Sequence, residues 1–218
     1  LVYQKDNSVI SAANKFSLKV TELQDESDSI DPSAIYLKST FLDGNNLLGG
    51  NNREKNLKID SVGDVSLKTN NAVDFDTSSI GGNLSLVVNG SVKQANNTTL
   101  TIGGSADLTT TGDVFLGKND QRILNLGGDL LISGAKSIDV KNNGDLKLGK
   151  INKSAEAGAD SYVYLNASGG AILVNDDIFT SGTNTKLVFE SDVSIAAGKT
   201  IGSTSGSIQF DRNIFQSS

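Results

Sequence analysis

The chain of 218 residues contains no cysteine, histidine, methionine or tryptophan, and it has one proline. The absence of cysteine excludes disulfide bonds and thiolate metal sites. The absence of histidine removes the commonest general base and the usual imidazole ligand of zinc. Since a full-length translation product begins with methionine, we expect this chain to be an internal fragment or a processed form.

Features that place a chain in a membrane are also missing from the sequence. No apolar run approaches the length of about 18 residues that a spanning helix needs, and no segment resembles the apolar centre of a signal peptide. We therefore expect no membrane insertion of this segment. Any export signal or membrane anchor is expected either to lie outside it or not to exist.

The charge distribution argues against nucleic acid as a partner. The formal net charge is −6, and lysines and arginines are dispersed singly, as at Lys147, Lys150 and Lys153. A nucleic-acid-binding protein is expected to carry a basic stripe. The acidic balance instead suits a secreted rod and disfavours contact with anionic membranes.

A Gly-Gly pair recurs along the chain, each time just before a short run that alternates apolar and polar residues. Counted from the first glycine of each pair, the steps are 22, 24 and 42, and the last step equals two turns of about 21. The pairs are Gly81-Gly82, Gly103-Gly104, Gly127-Gly128 and Gly169-Gly170. A repeat of about 19 to 24 residues made of strands and turns predicts a solenoid.

Apolar residues within the repeat occur as i, i+2 pairs, which place both side chains on one face of a strand. Three successive pairs recur at a constant offset of 24 residues, as from Leu100 to Leu124. Each turn is therefore expected to hold three short strands. The first set is Leu100/Ile102, Ala106/Leu108 and Val114/Leu116, and the second is Leu124/Leu126, Leu130/Ile132 and Ile138/Val140. Between the pairs, Gly134 and Gly144 are expected to form corners, because glycine tolerates positive φ.

The periodicity excludes a helical fold. No stretch shows apolar residues at i, i+3, i+4 and i+7, and 23 glycines are spread through the chain. The sequence therefore predicts an all-β protein, a parallel β-helix or solenoid. It is expected to be right-handed because parallel crossover connections nearly always are.

The amino-terminal region, 1–60, is less regular than the rest. Alternation at Phe16, Leu18 and Val20 predicts a strand, whereas 22–32 and 43–55 have the composition of loop insertions. We therefore divide the chain into a less regular β region, 1–60, and a regular parallel β-helix, 61–218. Whether the first region continues the β-helix is left open at this stage. A further insertion is predicted at 150–160.

Candidate catalytic groups are sparse. The best carboxylate cluster is Asp176-Asp177, with Asp74 and Asp76 a weaker one. On the turn before Asp176, the residues that could supply a second acid are 154–156, which lie within the predicted insertion. The nonapeptide and EF-hand signatures of calcium sites are absent. We expect no enzymatic activity, no catalytic residue, no metal and no cofactor, and we assign no binding residue.

Two further residues have specific expectations. Asn83 lies in an Asn-x-Ser sequon, but its place at a repeat corner favours a structural role. Phe115 lies between Val114 and Leu116, which are expected to face inward. The ring of Phe115 is therefore expected to face solvent.

The segment Gly127 to Gly149 reads Gly-Gly-Asp-Leu-Leu-Ile-Ser-Gly-Ala-Lys-Ser-Ile-Asp-Val-Lys-Asn-Asn-Gly-Asp-Leu-Lys-Leu-Gly. It resembles the shaft repeats of filamentous-haemagglutinin-like exoproteins of two-partner secretion, and the resemblance covers roughly residues 60 to 210. It implies a β-helical rod at the bacterial cell surface, export through an outer-membrane β-barrel transporter, and a role in adhesion or, in relatives, toxin delivery. The family's secretion domain carries Asn-Pro-Asn-Gly motifs, and this chain has no Asn-Pro.

These observations favour a structural and binding segment of a secreted bacterial surface adhesin, with a host-cell receptor or glycan as its partner. One alternative is a polysaccharide-binding or polysaccharide-cleaving β-helix protein, for which a line of acids and aromatics on one face would be needed. A second alternative is the secretion domain of a two-partner exoprotein, which the missing Asn-Pro motif disfavours.

Overall fold

The computed structural model describes residues 2–3, 11–12, 15–20, 40–48, 56–119, 121–153, 161–182 and 185–216, with side chains from residue 57 onward. This part of the chain is built from strands and turns and contains no helix. It accordingly holds no helix with the length and apolar character needed to span a membrane. Every strand pairing is parallel, as in a β-helix.

The described residues form short strands that follow one another around the rod. They are β1 (Val2–Tyr3), β2 (Ser11–Ala12), β3 (Lys15–Val20), β4 (Thr40–Leu48), β5 (Asn56–Ser61), β6 (Val65–Thr69), β7 (Val73–Phe75), β8 (Ser78–Ile80), β9 (Leu84–Val88), β10 (Val92–Gln94), β11 (Thr98–Ile102), β12 (Ala106–Thr110), β13 (Val114–Leu116), β14 (Arg122–Leu126), β15 (Asp129–Ser133), β16 (Ile138–Asn143), β17 (Leu146–Asn152), β18 (Tyr162–Ser168), β19 (Ile172–Val174), β20 (Ile178–Thr180), β21 (Lys186–Phe189), β22 (Val193–Ile195), β23 (Ile201–Ser203), β24 (Ser207–Phe210) and β25 (Ile214–Gln216).

These strands form two large parallel sheets. The first sheet runs in the order β1-β4-β6-β9-β12-β15-β17-β19-β22-β25, and seven turns separate β6 from β25. The second sheet includes β10, β13, β16, β18, β21 and β24 in that order. The parallel β-helix predicted from the sequence is therefore confirmed.

The repeat length is slightly more variable than the sequence predicts. The step from Val65 to its partner Leu84 lies within the predicted range. The step from β15 to β17, which pairs Leu130 with Leu148, is shorter than that range, and the step from β17 to β19 is longer. The long turn is the one that contains the segment 150–160, for which the sequence predicts an insertion.

The constant offset predicted for the three sets of strands is confirmed. Leu100 pairs with Leu124, Ala106 with Leu130, and Val114 with Ile138. Three short strands per turn, however, describe only part of the rod. The turns that begin at β15 and β17 hold two longer strands each, and β17 pairs with both β19 and β20 because it continues across the position of a corner.

The inward residues of the strands form one continuous apolar core along the rod. In β11, β12 and β13 the first and third residues are buried, and the residue between them is partly or fully exposed. Phe75 and Phe189 are among the largest side chains in this core. Burial of this kind stabilises the fold by roughly 25 cal/mol per Å² of apolar surface.

At the first three Gly-Gly corners, successive turns approach each other closely. A Cβ on Gly103 would overlap the carbonyl oxygen of Gly81, and one on Gly127 would overlap the carbonyl oxygen of Gly103. These glycines are not in the left-handed region. Positive φ does occur at Gly134 and Gly144, at 78° and 96°, as the sequence predicts.

Polar side chains at the same corner join one turn to the next. The carboxylate of Asp64 accepts a hydrogen bond from Asn83 N at 2.7 Å, and Asn83 Oδ1 accepts one from Ser105 N at 2.8 Å. Ser105 Oγ in turn accepts from Asp129 N at 3.0 Å. The structural role predicted for Asn83 is therefore confirmed.

The prediction of a loop at 43–55 is wrong for the first half of that segment, because β4 extends to Leu48. This strand pairs with β6 over Thr40 to Asn46 and with β2 at its last two residues. Such long-range pairing is not revealed by the polar composition of the segment.

The insertion predicted at 150–160 begins later than the sequence suggests. β17 continues to Asn152, because Ile151 pairs with Ile132 on one neighbouring turn and with Ile178 on the other. The rest of this insertion, 154–160, and the loop predicted at 22–32 lie outside the described residues.

We predict that Gly103→Ala destabilises the rod because the new Cβ meets fixed backbone. The expected cost is about 2 kcal/mol, which lowers Tm by roughly 4–8 °C in a thermal unfolding measurement. Gly202→Ala is the matched control, since its Cβ would lie 2.9 Å from the ring of Phe179, which is 52% exposed and can move. Equal Tm values for the two variants would contradict the close-approach explanation.

Candidate functional site

Aromatic and charged side chains meet on the outer surface of the second sheet. We call this surface the aromatic face and define it by Lys93, Phe115, Lys118, Asp139, Tyr162, Tyr164 and Lys186. The register places Lys93 beside Phe115, Phe115 beside Asp139, and Asp139 beside Tyr164. Because the parallel strands are in register, residues that alternate outward on successive turns form one column.

The rings on the aromatic face pack against one another. The centroids of Phe115 and Tyr162 are 6.2 Å apart with the ring planes at 2°, and those of Tyr162 and Tyr164 are 4.8 Å apart. The outward position predicted for Phe115 is confirmed. Its ring is only partly exposed, however, since neighbouring lysines and Tyr162 cover it.

Lysine ammonium groups surround these rings. Lys93 Nζ lies 5.4 Å and Lys118 Nζ lies 4.9 Å from the centroid of Phe115. Lys186 Nζ lies 6.0 Å from the centroid of Tyr164. Each distance is at or within the limit of about 6 Å for a cation–π contact.

One ion pair holds a lysine in place over the rings. Lys118 Nζ lies 2.7 Å from Asp139 Oδ2, and the hydrogen bond to Asp139 is the main reason that the pKa of Lys118 is raised. The pair is partly exposed, so its contribution to stability is small, about 0–1 kcal/mol. Its main effect is to fix the ammonium group between Phe115 and Tyr162.

A polar cavity of about 410 Å³ adjoins the aromatic face. On β16 Lys141 lies two residues after Asp139, and on β18 Asn166 lies two residues after Tyr164, so these side chains share the outer face. The cavity is lined by Lys141, Asn166, Ala167, Ser168, Gly169, Gly170, Glu190, Ser191, Asp192 and Arg212. Its volume falls in the range of about 300–1,000 Å³ usual for small-molecule sites.

The cavity contains both hydrogen-bond acceptors and donors. Asn166 Nδ2 donates to Glu190 Oε2 at 2.8 Å, and Asp192 Oδ1 accepts from Asn213 N at 3.2 Å. Each carboxylate retains further lone pairs for a ligand. Among the described residues, the guanidinium of Arg212 has no hydrogen-bond or ion-pair partner, so its donors are available as well.

A second cavity, of about 190 Å³, continues from the first and shares Lys141 and Ser168 with it. It is also lined by Arg122, whose buried Nε has no hydrogen-bond partner within the described part of the chain. A buried donor without a partner is costly, by about 1–3 kcal/mol. Because Arg122 lies on β14, this second cavity extends the polar surface to that strand and adds the guanidinium of Arg122 to it.

The carboxylates that the sequence suggested for catalysis bond to neighbouring groups. Asp176 Oδ1 pairs with Lys199 Nζ at 2.8 Å, and Asp177 Oδ1 accepts from Thr200 N at 2.9 Å. Asp74 lies beside Lys93 on the next turn, and Asp76 accepts from Thr77 N at 2.7 Å. The residues 154–156, the one acidic candidate on the turn before Asp176, lie outside the described part.

The pKa of Asp176 is lowered, mainly by its hydrogen bond to Lys199. A general acid that works near neutral pH needs a raised carboxyl pKa, so this shift has the opposite sign. The arrangement favours a structural role for Asp176, in which its carboxylate fixes the corner between β19 and β20.

Sequence reasoning did not identify Tyr162, Tyr164 or Arg212 as site residues. The two tyrosines alternate with Val163 and Leu165, which are buried, so the pattern of β18 carries the signal for two outward rings. The contact of Tyr162 with Phe115 could not be inferred in the same way, because the length of the turn before β18 differs from that of the other turns and the offset between the strands is therefore not constant. Arg212 is isolated in the sequence and carries no motif.

We predict that the carboxyl of Asp176 titrates below its ordinary pKa, and that Lys199→Met moves this pKa upward. Because the folded pKa is depressed, the pair stabilises the fold above the unfolded pKa and its contribution is lost as pH falls through the folded value. A carboxyl chemical-shift titration measures both states, with Lys186→Met as the control that leaves this pair intact. An unchanged titration in Lys199→Met would contradict the assignment.

Comparison with known proteins identifies a family match, to repeats of unknown function (DUF5649), over residues 62–126. This segment contains the strands β6 to β14, three turns of the rod. No curated protein and no solved structure matches the chain. The match supports the repeat organisation of this segment and names no activity.

Proposed function

We propose that this chain is a structural and binding segment of a secreted bacterial surface adhesin, which contacts host or neighbouring cells through the aromatic face. The observation that carries the proposal is the stacking of Phe115, Tyr162 and Tyr164 on the outside of the rod. The core of the β-helix is complete without these rings. Partly exposed aromatic side chains of this kind are enriched where proteins bind other molecules.

The rod itself holds the side chains of the aromatic face in fixed positions. Seven stacked turns at about 4.8 Å each give a length of roughly 34 Å from β6 to β25, with one apolar core throughout. A solenoid of this kind presents side chains from several turns on one flat surface. The binding side chains are therefore held on strands, whose positions are fixed by pairing on both sides.

The resemblance of Gly127 to Gly149 to the shaft repeats of filamentous-haemagglutinin-like exoproteins supports the remaining parts of the proposal. By that resemblance, the chain is exported through an outer-membrane β-barrel transporter and lies at the bacterial cell surface. The absence of Asn-Pro favours the shaft over the secretion domain of such a protein. Adhesion is then a binding activity without catalysis.

The polar cavity favours a second candidate function, that of a polysaccharide-binding β-helix. Aromatic rings beside a cavity with acceptors and donors are the arrangement that the sequence pattern alone did not reveal. Cleavage of the polysaccharide has less support, because the lowered pKa of Asp176 does not suit a general acid.

The proposal predicts saturable binding of the chain to a component of a panel of extracellular-matrix proteins, glycans and host cells. Phe115→Ser/Tyr162→Ser/Tyr164→Ser is expected to weaken that binding by about tenfold or more, as for loss of a binding hot spot. Phe179→Ser is the control, because it removes an exposed aromatic ring from the first sheet.

Thermal unfolding of each variant establishes that the rod is intact before binding is compared. Equal binding by the triple variant and the parent chain would remove the aromatic face from the proposal. A chain that binds no component of the panel would overturn the adhesive function itself.

A further inference from the structure

We infer that the aromatic face and the polar cavity form one site for a neutral oligosaccharide. This inference rests on the proposed function and names the class of ligand that the same surface takes. The two parts are joined through β16 and β18, where on each strand a residue of the face is followed two positions later by a residue of the cavity. Asp139 and Tyr164 belong to the face, and Lys141 and Asn166 belong to the cavity.

The first argument is the chemistry of the rings. One surface of a pyranose ring presents C–H groups, which pack on the electron-rich face of an aromatic ring. Tyr162 and Tyr164 are partly exposed, with their centroids 4.8 Å apart, and their ring edges carry hydroxyl groups. Such rings bind the apolar surface of a sugar and can still bond to its hydroxyls.

The second argument is the balance of charge in the cavity. Glu190 and Asp192 are acceptors only, whereas Lys141 and Arg212 are donors only. A sugar hydroxyl both donates and accepts, so a polyhydroxylated ligand can bond to both sets at once. The two carboxylates balance the two cations, so the cavity has no net positive charge that would hold an anionic substituent, and its acceptors repel such a group at short distance. The cavity therefore favours a neutral saccharide over a carboxylated or sulfated one.

The third argument is distance. Tyr164 and Asn166 are separated by two residues of one extended strand, about 7 Å, so an oligosaccharide can place one ring on the tyrosines while a neighbouring sugar enters the cavity. The cavity volume of about 410 Å³ leaves room for a single sugar unit with its hydroxyls. The rings supply the apolar contact that the polar lining of the cavity lacks.

The test is a titration of the full chain with two sets of tetrasaccharides, followed by amide chemical shifts and calorimetry. The neutral set is cellotetraose, chitotetraose and mannotetraose, and the acidic set is tetragalacturonate and a sulfated chondroitin tetrasaccharide. We expect saturable binding of a neutral member, with shifts confined to β13, β16, β18, β21 and the corners after β18, β21 and β24. The affinity should change little between low and high salt, because no net charge is neutralised.

Single substitutions test the contribution of each part of the site to sugar binding. Tyr164→Ala is expected to weaken binding by about tenfold or more, whereas Tyr164→Phe, which keeps the ring, should stay close to the parent chain. Glu190→Gln is expected to weaken binding of the neutral sugar by about fivefold, since it removes a charged acceptor. Phe179→Ala is the control on the first sheet and should leave the affinity unchanged.

The outcomes separate this inference from the adhesive function. Stronger binding of the acidic set, improved by Glu190→Gln, would overturn the neutral class while leaving an adhesive surface in place. Binding that survives Tyr164→Ala would overturn the site. No binding of any neutral tetrasaccharide would overturn the inference, and the protein components of the panel would then decide the adhesive function on their own.

Discussion

In-register hydrogen bonding between successive turns is the interaction on which the rest of this structure depends. Once Val114 pairs with Ile138, Phe115 must lie beside Asp139, because neighbouring residues of a strand point to opposite sides. The same register therefore builds the apolar core inside the rod and the aromatic face outside it. A slip of one residue would reverse the two surfaces, so packing of the core also fixes which side chains form the aromatic face.

The corners show how the backbone keeps this register. Where the chain bends before β12 and β15, successive glycines lie so close that a Cβ would overlap the carbonyl of the turn before. Asn83 and Ser105 then accept hydrogen bonds from the following turn. Close approach and side-chain acceptors act at the same place, which explains why Gly81-Gly82 and Gly103-Gly104 are each followed by a polar residue.

Much of this architecture could be predicted because apolar alternation and a constant offset are local signals. The spacing of Leu100, Leu124 and their apolar neighbours predicted the strands and their pairing correctly. The site was harder to predict, because its parts come from turns of unequal length. Tyr162 contacts Phe115 across a turn that contains the segment 150–160, and the sequence does not show how that segment shifts the register. The glycine-rich corners were located correctly, although close approach and positive φ cannot be told apart without the backbone.

The direction of the inter-turn hydrogen bonds has a mechanical consequence. Since these bonds run along the rod, every layer of strands bears the same tension when the ends are pulled, and the weakest layer opens first. A turn of about 21 residues, as between Ile172 and Val193, would lengthen from about 4.8 Å to roughly 70 Å when pulled out. A few opened layers at one end would absorb large extensions while the intact layers kept their outer surface.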